Sequence, residues 1–354
     1  MTDTDAPTAH DERNPIPRDK HTYAALLGEF EAAADSPDAA ARVLLPTLTD
    51  RLKWIGELRD SAVIYYGSSF TIHQDINSAI DLQDINGFMA AVSNMPSRQK
   101  LSLLIHTQGG LGAAAETIVD YLRQCFDEIE VIVPLYAFSA GTMIALGADR
   151  ILMGKQSQLG PIDPQIPFGG TMIAAGSILE DFRRAQRELV EAAKNGTIHG
   201  VAAAWGPILR DITAGQMRAA ELAIQFGESL VAEWLRSYML KDGDGNAGSS
   251  DPASTSGTEA TNAVEPLEDD AARIARFFSD ELQHHIHSRR ISADRALAQG
   301  LKIERLEDSQ DLQNAVLGAH HITSLIYQVP NGGATIAKLI AASSGAHWMS
   351  NVPR

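Results

Sequence analysis

Two apolar runs end in the same way, and that ending constrains the fold more than any bulk property does. "KLSLLIHT" (100–107) stops on "QGG", and "EIEVIVPLY" (128–136) stops on "AFSAGT". Between them "GAAAETIVDYLRQCF" has helical spacing, as does "DLQDINGFMAAVSNM" upstream, which follows the β-rich run "AVIYYG" at 62–67. "AGTMIALGA" reads as a short apolar helix and "DRILMG" as a fourth strand. Alternating helices and nearly continuous apolar strands predict an α/β fold, with a parallel sheet covered on both faces. Its crossovers are right-handed. Neighbouring strands of such a sheet end side by side at their carboxyl edge, where ligands bind. The two glycine-containing stops are therefore expected to face each other.

The rest of the chain bounds the class. A formal net charge of -16 over 354 residues argues against a nucleic-acid partner, which needs a basic patch. One cysteine excludes an internal disulfide and a cysteine-rich zinc site; Cys125 reads as a buried helix residue. Residues 1–20 are polar, lack a secretory h-region and are expected to be disordered. No apolar window is long enough for a membrane span, so a cytoplasmic protein is expected. Residues 21–60 read as N-terminal helices, the second broken or kinked at Pro46. Residues 61–240 read as the catalytic core with two long helices, 176–194 and 213–240. The second helix opens on a capping box of Thr213 and Gln216. The acidic, Gly/Ser/Thr-rich stretch 241–270 is expected to be a disordered loop. Residues 271–354 read as a C-terminal α/β segment completing the domain. In it Gly300 closes a helix, "LKIERLE" is the last short strand and "DLQNAVLGAHHITSLIYQV" the final helix.

Chemistry concentrates at the two stops. Gly109 and Gly110 stand where a strand gives way to a helix, so backbone N–H groups there are placed to hold a negative oxygen. The segment reads G-G-L-G-A-A-A, which lacks the dinucleotide fingerprint G-x-G-x-x-G. Ser139 begins the next helix among small neighbours. It is either an N-cap or a nucleophile with the Ala140 N–H beside it. In "LGPIDPQIP" two prolines bracket Ile162-Asp163, making Asp163 either a turn cap or an orienting carboxylate. His284, His285 and His287 read as a polar helix end, and His320-His321 have no obvious third ligand. No metal and no cofactor are expected.

"LLIHTQGG", "VPLYAFSAGTMIALGADRILMG" and "QLGPIDPQI", in that order, resemble the serine dehydrogenase proteinase family. That family has the ClpP/crotonase-like fold and is related to SppA-type serine peptidases. The resemblance covers about 100–167, with a fainter echo in "HHIHSRRISADRALAQGLKIERLED". It implies a parallel-sheet core with flanking helices and a helical C-terminal extension. It also implies hydrolysis of peptide or protein substrates and a homo-oligomer. Ser139 would be the nucleophile, with Gly110 and Ala140 N–H groups as the oxyanion hole. Gln108 departs from the proline more usual before the two glycines. The position where ClpP carries its histidine falls within Pro161–Pro164, which holds none. The general base is therefore sought downstream: Lys194, as in Ser–Lys peptidases, or His199, with the more suitable intrinsic pKa. Lys194 is the first choice, with Asp163 an orienting or structural carboxylate, and the C-terminal histidines are the next candidates. A crotonase-like acyl-CoA enzyme and a non-catalytic scaffold or binding protein of the same fold are the alternatives.

Overall fold

A computed structural model describes residues 15–33, 40–93, 95, 99–168, 170–210, 212–241, 269–284, 286, 287, 289–329 and 334–353. Most of the expected acidic loop, and residues 1–14 of the expected loose N-terminus, lie outside the described residues. Residues 15–20 are held in place. Buried Arg51 donates to the carbonyls of Ile16 and Pro17, and the Ile16 N–H donates to Thr47 Oγ1.

The chain opens with α1 (Tyr23–Ala33), a π-helical turn (Ala40–Leu44) and α2 (Leu45–Arg59). Pro46 falls in the first turn of α2, where no N–H is required, so it starts this helix instead of kinking it. Next come β1 (Ala62–Ser68), α3 (Asp84–Ser93), β2 (Lys100–His106), α4 (Gly112–Cys125), β3 (Glu128–Val133), β4 (Tyr136–Ala137), α5 (Ala140–Leu146) and β5 (Arg150–Met153). Short strands β6 (Gln158–Leu159), β7 (Gln165–Phe168) and β8 (Thr171–Ala174) lead to α6 (Ala175–Lys194), α7 (Ile198–Leu209) and α8 (Ala214–Ser237). The last part is α9 (Asp270–Ser279), α10 (Glu281–His284), β9 (Ile291–Ser292), α11 (Ala293–Ala298), β10 (Ile303–Arg305), α12 (Gln310–Gln328), β11 (Ala334–Ala342) and β12 (His347–Pro353).

The main sheet has the order β10-β5-β3-β2-β1-β11-β12. The first five strands are mutually parallel, β11 adds antiparallel to β1, and β12 adds antiparallel to β11. Period-two alternation sends Leu101, Leu103 and Ile105 of β2 into one core, with α3, α4, α5, α8 and α9. Leu104 goes into a second core, with α1, α2 and α12. Both faces are thus covered, and each fully buried Leu or Ile contributes roughly 1.5–3 kcal/mol. The α8 capping box forms as read, with Gln216 N to Thr213 Oγ1 at 3.1 Å and Thr213 N to Gln216 Oε1 at 2.9 Å.

Two expectations are corrected. Cys125 is exposed at the last position of α4, one step past the apolar face that ends at Leu122. "LKIERLE" is not the last strand, because β11 and β12 follow α12. Among the described residues no helix is long and apolar enough to cross a membrane.

Candidate active site

The two glycine-containing stops meet. Beyond the main sheet the Thr107 N–H donates to Tyr136 O at 2.9 Å and the Phe138 N–H donates to Thr107 O at 3.1 Å. This pairing presses the turn after β2 against the turn before α5. Gly109 adopts φ +98, and a Cβ there would stand 2.5 Å from Phe138 O and 2.6 Å from Ser139 Cβ. Only glycine meets both demands. Ser139 itself has φ 50 and ψ -117, a conformation that costs a non-glycine residue roughly 1–3 kcal/mol. The serine makes no capping bond to α5, so helix capping does not account for it. Ser139 lines a cavity of about 830 Å³.

Two backbone amides of these turns are uncommitted. The Gly109 N–H is used locally, donating to Thr107 Oγ1 at 3.1 Å. The Gly110 N–H and the Ala140 N–H, the latter in the open first turn of α5, donate to no other group among the described residues.

Asp163 stands between Ile162 and Pro164, which line the same cavity, for a local reason. The proline-bracketed segment is extended, and the Ile162 N–H donates to Phe278 O at 2.8 Å, which lays the segment along the end of α9. Asp163 is 3% exposed. Its Oδ2 accepts from Gln165 Nε2 at 2.8 Å, and its Oδ1 lies 2.8 Å from His287 Nδ1. A carboxylate only accepts, so Nδ1 carries the hydrogen, and in the neutral ring Nε2 keeps the lone pair. His287 and Ser139 both line the cavity. Ile80, Leu111, Met143, Ile162, Met172 and Phe226 give the remaining wall an apolar character.

The candidate bases read from the sequence are elsewhere. Lys194 ends α6 with a 68% exposed side chain, 3.5 Å from Glu191. His199 is exposed in the first turn of α7. Neither lines the Ser139 cavity. The histidine cluster separates by role. Buried His284 bonds the Phe277 carbonyl at 2.6 Å, and burial lowers its pKa. His285 lies outside the described residues. His320 is buried on α12, its ring 4.8 Å from that of His106, and burial lowers its pKa too. No group of three His, Cys, Asp or Glu side chains suited to a metal occurs among the described residues. His287 was hidden in a run that reads as a helix end. The signal that could have found it is Asp163, a carboxylate on a stiff, apolar loop that needs a partner.

The model of the ClpP-like SDH-type serine proteinases matches residues 36–198. An uncharacterized protein of Methanocaldococcus jannaschii is 40% identical over 105 residues, 30% of this chain and 35% of that protein. A second from the same organism is 44% identical over 87 residues, 25% of this chain and 30% of that protein. The chain thus spans about a third of the length of these curated relatives. A solved mutant of the 1510-N membrane-bound stomatin-specific protease aligns at 23% identity over 38% of this chain and 62% of that one, with a TM-score of 0.23. The residues that match this family model, 36–198, include both glycine-containing turns and Ser139.

Proposed function

We propose that this chain is a serine peptidase acting through an acyl-enzyme on Ser139, with His287 as general base and Asp163 as its orienting carboxylate. One observation carries the reading: an imidazole whose Nδ1 is held by a buried carboxylate lines the same cavity as a strained serine with no capping role. In the reaction Ser139 Oγ attacks the substrate carbonyl carbon while His287 Nε2 takes the hydroxyl proton. The Gly110 and Ala140 N–H groups receive the oxygen that becomes negative. His287 then gives the proton to the leaving amine. A water molecule, deprotonated by the same Nε2, releases the acyl group and restores Ser139. Asp163 holds the tautomer and stabilises the imidazolium. The strained Ser139 backbone is consistent with a nucleophile presented at a sharp turn.

The test is covalent labelling by a fluorophosphonate. It is expected in the parent, absent in Ser139→Ala, and at least 100-fold slower in His287→Ala. A crotonase-like thioester enzyme would use the same two amides and take no label. Unlabelled parent protein would remove the peptidase reading.

The same proposal includes a homo-oligomer. Helix α7, "IHGVAAAWGPIL", carries no acidic or basic residue other than His199, yet Ile198 and Ile208 are exposed. Without lysine or arginine it has nothing to hold an anionic lipid surface, and the chain bears a net charge of -16. A second copy meeting this uncharged face avoids the repulsion between two acidic chains.

A further inference from the structure

The oxyanion loop is held from the far side by a buried ammonium group. Gly110 pairs with Ile80 as an isolated parallel bridge: the Ile80 N–H donates to Gly109 O at 2.8 Å, and the Leu111 N–H donates to Ile80 O at 3.0 Å. Backbone groups alternate in direction along an extended segment. With Gly109 O and the Leu111 N–H turned toward Ile80, the Gly110 N–H is turned away from it, toward the opposite edge. The approach is close enough that a Cβ on Gly110 would lie 2.4 Å from Ile80 N. The position of Ile80 therefore sets the direction of the Gly110 N–H.

Ile80 lies in a segment without regular structure, and Lys338 fastens that segment on both sides of it. Lys338 Nζ donates to Ala79 O at 3.1 Å and lies 2.7 Å from Asp81 Oδ2. Its third contact is Asp84 Oδ1 at 2.6 Å. Two of the ammonium hydrogens are used in hydrogen bonds to Ala79 O and Asp81 Oδ2, and the contact with Asp84 Oδ1 is an ion pair. Asp84 is fully buried, and its Oδ2 accepts from Tyr66 OH at 2.6 Å and from the Asp81 N–H at 3.0 Å. Lys338 is 3% exposed and stands in β11, between apolar residues of a strand buried on both faces. A buried ion pair is a poor device for stability alone, since apolar residues of the same volume serve as well or better. A clamp that fixes one register of segment 79–81 explains a lysine in this place.

We infer that Lys338, through Asp81, Asp84 and the Ala79 carbonyl, is a positioning residue that fixes Ile80 and with it the Gly110 N–H of the oxyanion hole. The inference rests on the proposed acyl-transfer role of that amide. It also assigns β11, which lies outside the family-matched residues, a part in the site.

The experiment uses Lys338→Met combined with Asp84→Asn, which removes the clamp without leaving a buried carboxylate unpaired. Two quantities are read in the full-length protein with a folded circular-dichroism spectrum: amide exchange at Ile80 and Leu111, and the fluorophosphonate labelling rate. Exchange is expected to quicken at least 10-fold at both amides. Labelling is expected to slow on the order of 10-fold or more. With a peptide substrate the loss should fall on kcat and leave KM unchanged. Parental exchange at both amides, or faster exchange with a parental labelling rate, would overturn the inference. Should the parent itself take no label, the proposed function fails, and the exchange arm alone decides whether the clamp holds Ile80. Should the double variant not fold, Asp81→Asn, at a partly exposed arm of the clamp, must move exchange in the same direction, and parental exchange there overturns it.

Discussion

Gly109→Ala isolates the contact between the two turns. At φ +98 an alanine backbone costs about 1–2 kcal/mol. The larger effect is steric. The new methyl would stand 2.6 Å from Ser139 Cβ and 2.5 Å from Phe138 O. Both belong to the turn that presents the nucleophile, and neither is the free end of a flexible side chain. Ordinary contact requires a retreat on the order of 1 Å, and a displacement of that size at a reacting group costs about 100-fold in rate. In barrier terms this is about 2.7 kcal/mol. The expected phenotype is a folded protein with a modestly lowered melting temperature and a kcat or labelling rate reduced about 100-fold. Steady-state peptide hydrolysis, single-turnover labelling and a thermal melt on one preparation measure all three. A Gly109→Ala protein with parental labelling rate would show that the glycine turn does not set the position of Ser139.

Other expectations follow from single contacts. Lys194→Ala and His199→Ala should keep parental turnover across the pH profile, since neither residue lines the cavity; a 10-fold loss in Lys194→Ala would return the base to Lys194. Asp163→Asn should lower kcat by on the order of 10²–10⁴, because an amide can donate to Nδ1 and favour the wrong tautomer. Parental kcat would leave Asp163 with a turn-capping role only. His106 is 2% exposed, and burial pushes its pKa down to about 4. The unfolded chain therefore binds the extra proton between about pH 6.5 and pH 4, and stability falls as pH falls through that window, by up to about 3 kcal/mol. Denaturant melts at several pH values should give His106→Leu a shallower slope than the parent, and equal slopes would refute the assignment. Sedimentation at micromolar concentration should return an oligomer that Ile208→Glu on α7 shifts toward monomer; a monomeric parent would contradict the proposed self-association.

The legible part of the fold was the part written in local pattern. β1, β2, β3 and β5 are continuous apolar runs closed by turn residues, and both glycine turns punctuate them. Ser139 and the two free amides follow from that punctuation together with the family motifs. What escaped depends on distance along the chain or on broken pattern. His287 meets Asp163 across 124 positions, and neither "HHIHSRR" nor "GPIDPQ" announces the other. β11 reads "ATIAKLIAA", alanine-rich and interrupted by Lys338, so its composition does not announce a strand. The ion-pair clamp that explains the lysine is itself long-range. Lys194 was attractive by order in the sequence, but α6 carries it to a solvated helix end.

The central claim is that Ser139 is a nucleophile activated by His287. Mass spectrometry of fluorophosphonate-treated parent, Ser139→Ala and His287→Ala tests it most directly. The account predicts one adduct, on the peptide containing Ser139 in the parent, none in Ser139→Ala, and slow residual labelling of Ser139 in His287→Ala. An adduct on another residue, or parental labelling without His287, would contradict it.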